Sequence, residues 1–127
     1  MKLQVLVSTM NQTDYSLLKK MNIQSDAIIV NQCKYNKFDE IDFNGYKIKF
    51  LSLNEKGVGL SRNTALMRAE ADICLIADDD LVYVDGYKDI VLREFNNNRK
   101  ADIILFNVPS INKDRPSYII PKAKRAW

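Results

Sequence analysis

Residues 72–81, Asp-Ile-Cys-Leu-Ile-Ala-Asp-Asp-Asp-Leu, indicate both the fold class and the candidate site of this chain. A short apolar run bounded by acidic residues is typical of a strand buried on both faces, as in a parallel sheet. The run ends on Asp78, Asp79 and Asp80, three carboxylates that repel one another unless a cation lies among them. Mg²⁺ and Mn²⁺ prefer such oxygen ligands, commonly one or two carboxylates together with substrate phosphates. The stretch predicts a metal–phosphate site at the carboxyl end of a strand, where open α/β sheets bind ligands; a solvated acidic turn is the alternative.

The composition is that of a globular domain. The chain has 127 residues, 46% of them hydrophobic and 28% charged, which suits one domain with an adequate core. No apolar run approaches the roughly 18 residues of a membrane span, and the N-terminus enters a strand pattern rather than a signal peptide. The chain lacks histidine and any C-x-x-C motif, which excludes a His-containing zinc site. We expect a cytoplasmic domain in which Cys74 is a small buried hydrophobe.

The basic charge is concentrated near the C-terminus. Residues 109–127, predicted to form an irregular tail, hold five basic side chains and one acidic side chain, whereas the whole chain has a net charge of +3. A basic segment can meet an anionic surface, so one expectation is peripheral association with the inner face of the membrane. The other is a solvated tail without a partner. We expect no nucleic-acid partner.

Strand and helix patterns alternate along the chain. We predict strands at 2–8, 27–30, 46–53, 72–77 and 101–108, and helices at 14–21, 60–71 and 86–97. This order predicts an α/β domain with a mostly parallel sheet, spanning residues 1–127 without an interior boundary. We further expect a loop at 33–45, a rather exposed strand at 46–53, and Leu66 and Ala69 on the inner face of their helix.

A glycine-containing loop precedes the helix that carries Ser61 and Arg62. Gly57 and Gly59 precede that helix, whose free N–H groups and dipole favour a phosphate. The loop lacks the Gly-Lys-Ser/Thr of a phosphate loop and the third glycine of the dinucleotide fingerprint. A cap-and-turn role explains the same residues, so the loop alone decides nothing.

In their order, these segments resemble the nucleotide-binding half of the family 2 glycosyltransferases, which have the Rossmann-like GT-A fold. The matching segments are Val7-Ser8-Thr9-Met10-Asn11, Gly59-Leu60-Ser61-Arg62-Asn63-Thr64-Ala65-Leu66 and Leu75-Ile76-Ala77-Asp78-Asp79-Asp80. The most specific part is the Arg-Asn pair on a helix, followed 16 residues later by the aspartates. The resemblance implies a GT-A-like sheet with flanking helices, here incomplete at the C-terminus.

The resemblance also implies a divalent metal, Mg²⁺ or Mn²⁺, that bridges a nucleoside diphosphate sugar to the acidic motif. Asp80 matches the metal ligand, and Asp78 matches the residue near the ribose or sugar, with a share in the metal site. Asp79 fits either role, because three identical residues do not fix the alignment. A UDP-sugar is the first expectation for the donor.

The remaining nucleotide contacts follow from the same resemblance. Thr9 and Asn11 would line the nucleotide pocket, and Arg62 would approach the base or the diphosphate. Asn31 stands where the family commonly has an Asp that contacts the base, and its amide oxygen can still accept the uracil N3–H. Met10 replaces an aromatic residue that can stack on the base, so a base other than uracil stays open.

The family places its general base in the acceptor half, and no matching motif follows the aspartates here. The acids after Asp80 are Asp85, Asp89, Glu94, Asp102 and Asp114. We therefore expect the donor-binding part of a longer enzyme, whose acceptor is a glycan or a lipid-linked molecule. This chain alone would then bind a donor without transferring sugar.

Two alternatives stay open at this point. A sugar-phosphate nucleotidyltransferase would carry a glycine-rich signature after the first strand, where this chain has Ser8-Thr9-Met10-Asn11. A receiver-like domain would cluster acids at the end of the first strand and present a phosphorylatable Asp on the third. Neither pattern is present, whereas the metal-dependent transferase explains the position of the aspartates.

Overall fold

Seven strands and three helices follow one another in the computed structural model, which describes residues 1–106 and the backbone of 124–126. The chain divides into two units, Met1–Lys88 and Asp89–Trp127. In order, the elements are β1 (Leu3–Met10), α1 (Ser16–Lys20), β2 (Asp26–Gln32), β3 (Lys37–Phe43), β4 (Tyr46–Leu53), α2 (Val58–Arg68), β5 (Ile73–Asp78), α3 (Tyr87–Asn97), β6 (Ile103–Leu105) and β7 (Lys124–Ala126). No helix among the described residues is both long and apolar enough to span a membrane.

The first unit is built on a five-stranded sheet with the order β3-β4-β2-β1-β5. β1, β2, β4 and β5 run parallel, and β3 pairs antiparallel with β4. Since β2 and β5 flank β1 on opposite sides, the chain changes its winding direction at β1. Ligands of open α/β sheets bind at such a switch point, outside the carboxyl ends of the strands. The predicted α/β fold with a mostly parallel sheet and flanking helices is confirmed.

The core lies on both faces of the central strands. Leu6, Ile28 and Val30 form one buried cluster with β4 residues and with Ala65 of α2. Because side chains alternate along a strand, Val5, Val7 and Ile29 point to the other face, and all three are fully buried. The apolar runs of β1 and β2 are continuous for this reason: each face of the sheet is covered.

The predicted loop at 33–45 contains a strand, β3. Its sequence, KFDEIDF, mixes three acids with aromatic residues, and no β3 residue is fully buried. β3 lies at the edge of the sheet, where charged side chains are tolerated and discourage further strand pairing. The prediction of a loop was wrong because an edge strand need not show the apolar pattern of a buried one.

The strand at 46–53 was predicted with the right bounds but the wrong exposure. Ile48 and the whole of Phe50–Leu53 are buried in β4, which lies between β3 and β2. The polar alternation of Lys47 and Lys49 covers only the first half of the strand. The missed neighbour β3 explains the error, because it turns β4 from an edge strand into an interior one.

The inner face of α2 also differs from the prediction. Ser61 and Ala65 are its buried residues, whereas Leu66 is 45% exposed, and Ala69 packs at the margin of the core. Small residues face the sheet here, so apolar size was a misleading guide to the orientation of this helix. Cys74 is only half-buried, beside the same cluster, and burial raises the pKa of its thiol.

In the second unit, β6 pairs antiparallel with β7. The strand predicted at 101–108 is thus shorter, Ile103–Leu105, and positions 107 and 108 lie outside the described residues. Within the predicted tail 109–127, the structure describes only 124–126. These form β7, so that part of the tail is not irregular.

Candidate functional site

A cleft of about 490 Å³ opens at the carboxyl ends of β1, β2 and β5. Parallel register brings these strand ends level, with Thr9 beside Asn31 and Ser8 beside Asp78. The start of α2 closes one side. The cleft is lined by Ser8, Thr9, Met10, Gln32, Gly57, Val58, Ser61, Asp78, Asp79 and Asp80. All three predicted aspartates and Thr9 therefore share one cavity at the switch point of the sheet.

Thr9 connects β1 to the acidic motif. Its hydroxyl donates to Asp79 Oδ2 at 2.8 Å and accepts a hydrogen bond from Gln12 Nε2 at 2.9 Å. Thr9 is buried, whereas Asp79 is exposed. A buried hydroxyl whose donor and acceptor functions are both engaged holds the carboxylate in a defined direction. Asp79 is thereby oriented by β1, across the junction between β1 and β5.

Arg62 pairs with the first of the three aspartates. Its Nη2 donates to Asp78 Oδ1 at 3.0 Å, and the two side chains are 44% and 60% exposed. The sequence predicted that Arg62 faces the nucleotide pocket, with a surface ion pair as the alternative. The ion pair is present, and Arg62 does not line the cleft. The pair offsets part of the charge repulsion at the aspartates without a bound cation.

Whether the cleft can hold a divalent metal ion depends on the arrangement of its carboxylates. Across residues 1–106, no group of three or more Cys, Asp or Glu side chains is arranged to hold a metal ion. Asp78 and Asp80 both line the cleft, however, and their oxygens are the donor type that Mg²⁺ and Mn²⁺ prefer. Nucleotide enzymes commonly hold Mg²⁺ with one or two carboxylates and complete the shell with phosphates and water. Two cleft carboxylates thus fit a metal that arrives with a phosphate ligand.

The start of α2 forms one wall of the cleft. Gly57 occupies the N-cap with a φ of 118°, a conformation that favours glycine, and no side chain caps the helix. Gln32 Nε2 donates to the Gly57 carbonyl at 2.9 Å and fixes this turn to the end of β2. The first N–H groups of a helix have no partner inside it. This wall therefore offers hydrogen-bond donors to a ligand.

Comparison with known families gives one match. The profile of glycosyl transferase family 2 matches residues 6–125, almost the whole chain. The chain belongs to glycosyl transferase family 2. Searches of curated proteins and of solved structures give no match. Membership of this family supports a glycosyltransferase-type function over the nucleotidyltransferase and receiver alternatives.

One predicted contact of this family 2 domain, Asn31, is engaged inside the protein. Its side chain is fully buried, and its Oδ1 accepts from the Gln12 backbone N–H at 2.9 Å. Its Nδ2 donates to the Gln12 carbonyl at 3.0 Å and to Ser52 Oγ at 3.2 Å. Asn31 does not line the cleft, whereas the next residue, Gln32, does. Asn31 lies near the carboxyl end of β2, as predicted, but its side chain fixes the β1–α1 loop through Gln12.

Asn11, the other predicted pocket residue from this region, also lies outside the cleft lining. It adopts a φ of 55° and its backbone N–H donates to the Gln32 carbonyl at 2.9 Å. The left-handed conformation is one that Asn tolerates better than most residues. Its exposed side chain lies at the turn that follows β1. The backbone of Asn11 thus shapes the rim of the site.

Sequence reasoning assigned no site role to Gln12 or Gln32, and it named Ser61 only as part of the helix start. Gln12 fixes Thr9, Gln32 fixes Gly57, and Ser61 lies buried under the cleft wall. Glutamine and serine carry no distinctive pattern in a single sequence. Only their positions in the sequence could have indicated a role, because Gln32 ends a buried strand and Ser61 directly precedes the Arg-Asn pair.

Proposed function

We propose that this domain binds the nucleoside diphosphate sugar donor of a glycosyltransferase, with a UDP-sugar as the first expectation. The observation that carries the proposal is the convergence of Thr9, Gln32 and the three aspartates in one cleft at the switch point of the sheet. Asp78 and Asp80 would hold Mg²⁺ or Mn²⁺, which would neutralise the charge of the diphosphate leaving group when bound. Asp79, oriented by Thr9, would support the ribose or sugar side of the donor.

The acceptor is proposed to be a glycan or a lipid-linked molecule, as the resemblance implies. The basic residues of 109–127 would suit an anionic membrane surface, which makes peripheral association part of this proposal. Vesicles with and without anionic lipid test that part. Equal sedimentation of the chain with both would contradict it.

Arg62 is proposed to contact the donor while it remains beside Asp78. A guanidinium has five N–H donors, and the bond to Asp78 uses only part of them. We expect Arg62→Ala to weaken UDP–Mn²⁺ binding by about 1.5–3 kcal/mol, the range for hydrogen bonds to charged groups. Because the ion pair is exposed, the free energy of unfolding should change by no more than about 1 kcal/mol.

Titration calorimetry and thermal unfolding measure these two quantities. Arg68→Ala is the matched control, since Arg68 lies at the other end of α2 and packs over the Phe38 ring, 5.9 Å from its centroid. UDP–Mn²⁺ affinity that is the same for Arg62→Ala and for the parent chain would show that Arg62 is only a surface residue.

This chain is expected to bind a donor without transferring the sugar. Of the acids that follow Asp80, only Asp85 lies in the unit that contains the cleft. Asp85 accepts hydrogen bonds from Asn22 and Gln24, and these bonds lower the pKa of its carboxyl. A carboxylate of lowered pKa is a weak general base for an acceptor hydroxyl.

Donor hydrolysis and acceptor glycosylation can both be measured beside UDP binding. We expect binding in calorimetry and no glycosylated product above the rate without protein. Efficient transfer would disprove this proposal and would place the base among Asp85, Asp89, Glu94, Asp102 and Asp114.

A further inference from the structure

The ion pair between Arg62 and Asp78 brings a positive charge to a cleft whose own lining has none. The described residues that line the cleft include three aspartates and no lysine or arginine. Arg62 lies outside this lining, on α2, yet its Nη2 donates to Asp78 Oδ1 at 3.0 Å. One of the three carboxylates therefore already has a cationic partner that belongs to the protein.

The surroundings of this pair allow it to be shared or released easily. Asp78 is the last residue of β5 and lies opposite Ser8 in the parallel register, so the sheet fixes its backbone position. Both side chains of the pair are partly exposed to solvent, and exposed ion pairs contribute little to stability. Another charged group that enters the cleft can therefore compete for either partner.

Arg62 affects a metal ion and a diphosphate in opposite ways. This step rests on the proposed function, in which Asp78 and Asp80 hold a divalent ion. That ion would meet the positive guanidinium beside one of its two ligands, so Coulomb repulsion and competition for Asp78 both disfavour it. A diphosphate is attracted to the guanidinium, whose remaining N–H groups suit phosphate oxygens. Arg62 therefore opposes a metal ion that comes alone and favours one that comes with a diphosphate.

We propose that Arg62 is a built-in counter-ion of Asp78, which couples metal binding to diphosphate binding. Its charge lowers the affinity of the aspartates for a bare divalent ion, and this penalty is offset when a diphosphate brings negative charge to the site. Because such coupling is reciprocal, the metal and the diphosphate each raise the affinity of the site for the other. The cleft then takes up its metal together with the donor rather than beforehand.

The test measures binding of Mn²⁺ alone, from the electron paramagnetic resonance signal of free Mn²⁺. We expect Arg62→Ala to bind Mn²⁺ roughly 3- to 10-fold more tightly than the parent chain, because the competing charge is gone. The same variant should bind UDP more weakly in saturating Mn²⁺, so one substitution has two effects of opposite sign. Arg62→Lys keeps the positive charge and should bind Mn²⁺ alone like the parent. Arg68→Ala removes an equal charge at the other end of α2 and controls for net charge.

Three results would overturn this inference. The first is an affinity for Mn²⁺ alone that is equal or lower in Arg62→Ala than in the parent, which includes the case that neither protein binds Mn²⁺. The second is the same tightening in Arg68→Ala, which would make it an effect of net charge. The third is the same tightening when Arg62→Ala is combined with Asp78→Asn, because Arg62 and the metal would then not compete for Asp78.

The measurements also separate this inference from the proposed function. If Arg62→Ala tightens the binding of Mn²⁺ while UDP does not bind to any variant, the proposed function fails and the counter-ion role of Arg62 stands. If UDP binds in a Mn²⁺-dependent way while Arg62→Ala leaves the affinity for Mn²⁺ alone unchanged, only the counter-ion role fails.

Discussion

Removal of divalent cations is expected to abolish most of the UDP binding of this domain. Three aspartates in one cleft repel a diphosphate, and the single positive charge of Arg62 beside Asp78 offsets only part of their negative charge. A divalent ion at Asp78 and Asp80 would be attracted both to these carboxylates and to the diphosphate. Asp80→Asn should therefore weaken UDP–Mn²⁺ binding by on the order of 10- to 100-fold, the loss found even for residues that only support a metal ligand.

Calorimetry with UDP in EDTA and in excess Mn²⁺ measures this dependence. Asp89→Asn is the matched control, because Asp89 is exposed and belongs to the other unit of the chain. Asp85→Asn should also keep the metal-dependent binding of UDP. It is a poorer control, because Asp85 accepts hydrogen bonds from Asn22 and Gln24 that the substitution would disturb. Equal UDP affinity in EDTA and in Mn²⁺ would contradict a metal site.

The position of the aspartates could be predicted because it depends on one strong local pattern. Residues 73–77 are apolar, and the acids begin where the strand ends, so the strand and its functional end are visible together. The partners of the aspartates could not be predicted in the same way. Thr9 lies 70 residues from Asp79, and only the parallel pairing of β1 with β5 brings the two together.

The electrostatics of the site also needed the three-dimensional arrangement. From the sequence, a bound cation is the simplest way to relieve the charge repulsion between three adjacent carboxylates. In the structure, Arg62 donates to Asp78 and Thr9 donates to Asp79, so two of the three carboxylates have a protein partner. A metal that binds Asp78 would have to share that carboxylate with Arg62. The ion pair is therefore part of the energetics of donor binding rather than a simple surface contact.

The errors of sequence reasoning have one common physical cause. Apolar content indicates whether a segment is buried, but it does not show which neighbour buries it. β3 was missed because, among the described residues, it is an edge strand that pairs only with β4, and the exposure of β4 was misjudged because β3 covers it. On α2, Ala65 faces the sheet while Leu66 is exposed, since a small residue allows closer packing than a large one.

Asn31→Leu is expected to lower the free energy of unfolding by about 2–5 kcal/mol. The Asn31 amide is fully buried and satisfies both backbone groups of Gln12, together with the buried hydroxyl of Ser52. An isosteric apolar side chain would leave these groups without partners, at about 1–3 kcal/mol for each one that water cannot reach. Since Gln12 is only half-buried, water can replace part of the loss.

Denaturant unfolding of Asn31→Leu, beside Asn63→Leu as the control on the exposed face of α2, measures this effect. A second variant, Asn31→Asp, separates a structural role from base recognition. An aspartate keeps an oxygen for the Gln12 N–H but loses the donor to the Gln12 carbonyl, and it buries a charge. We expect Asn31→Asp to be destabilised while its folded fraction binds UDP–Mn²⁺ like the parent chain. Unchanged stability with altered UDP affinity would instead place Asn31 at the base, as the family resemblance implies, and would show that the Asn31–Gln12 bonds contribute little to the fold.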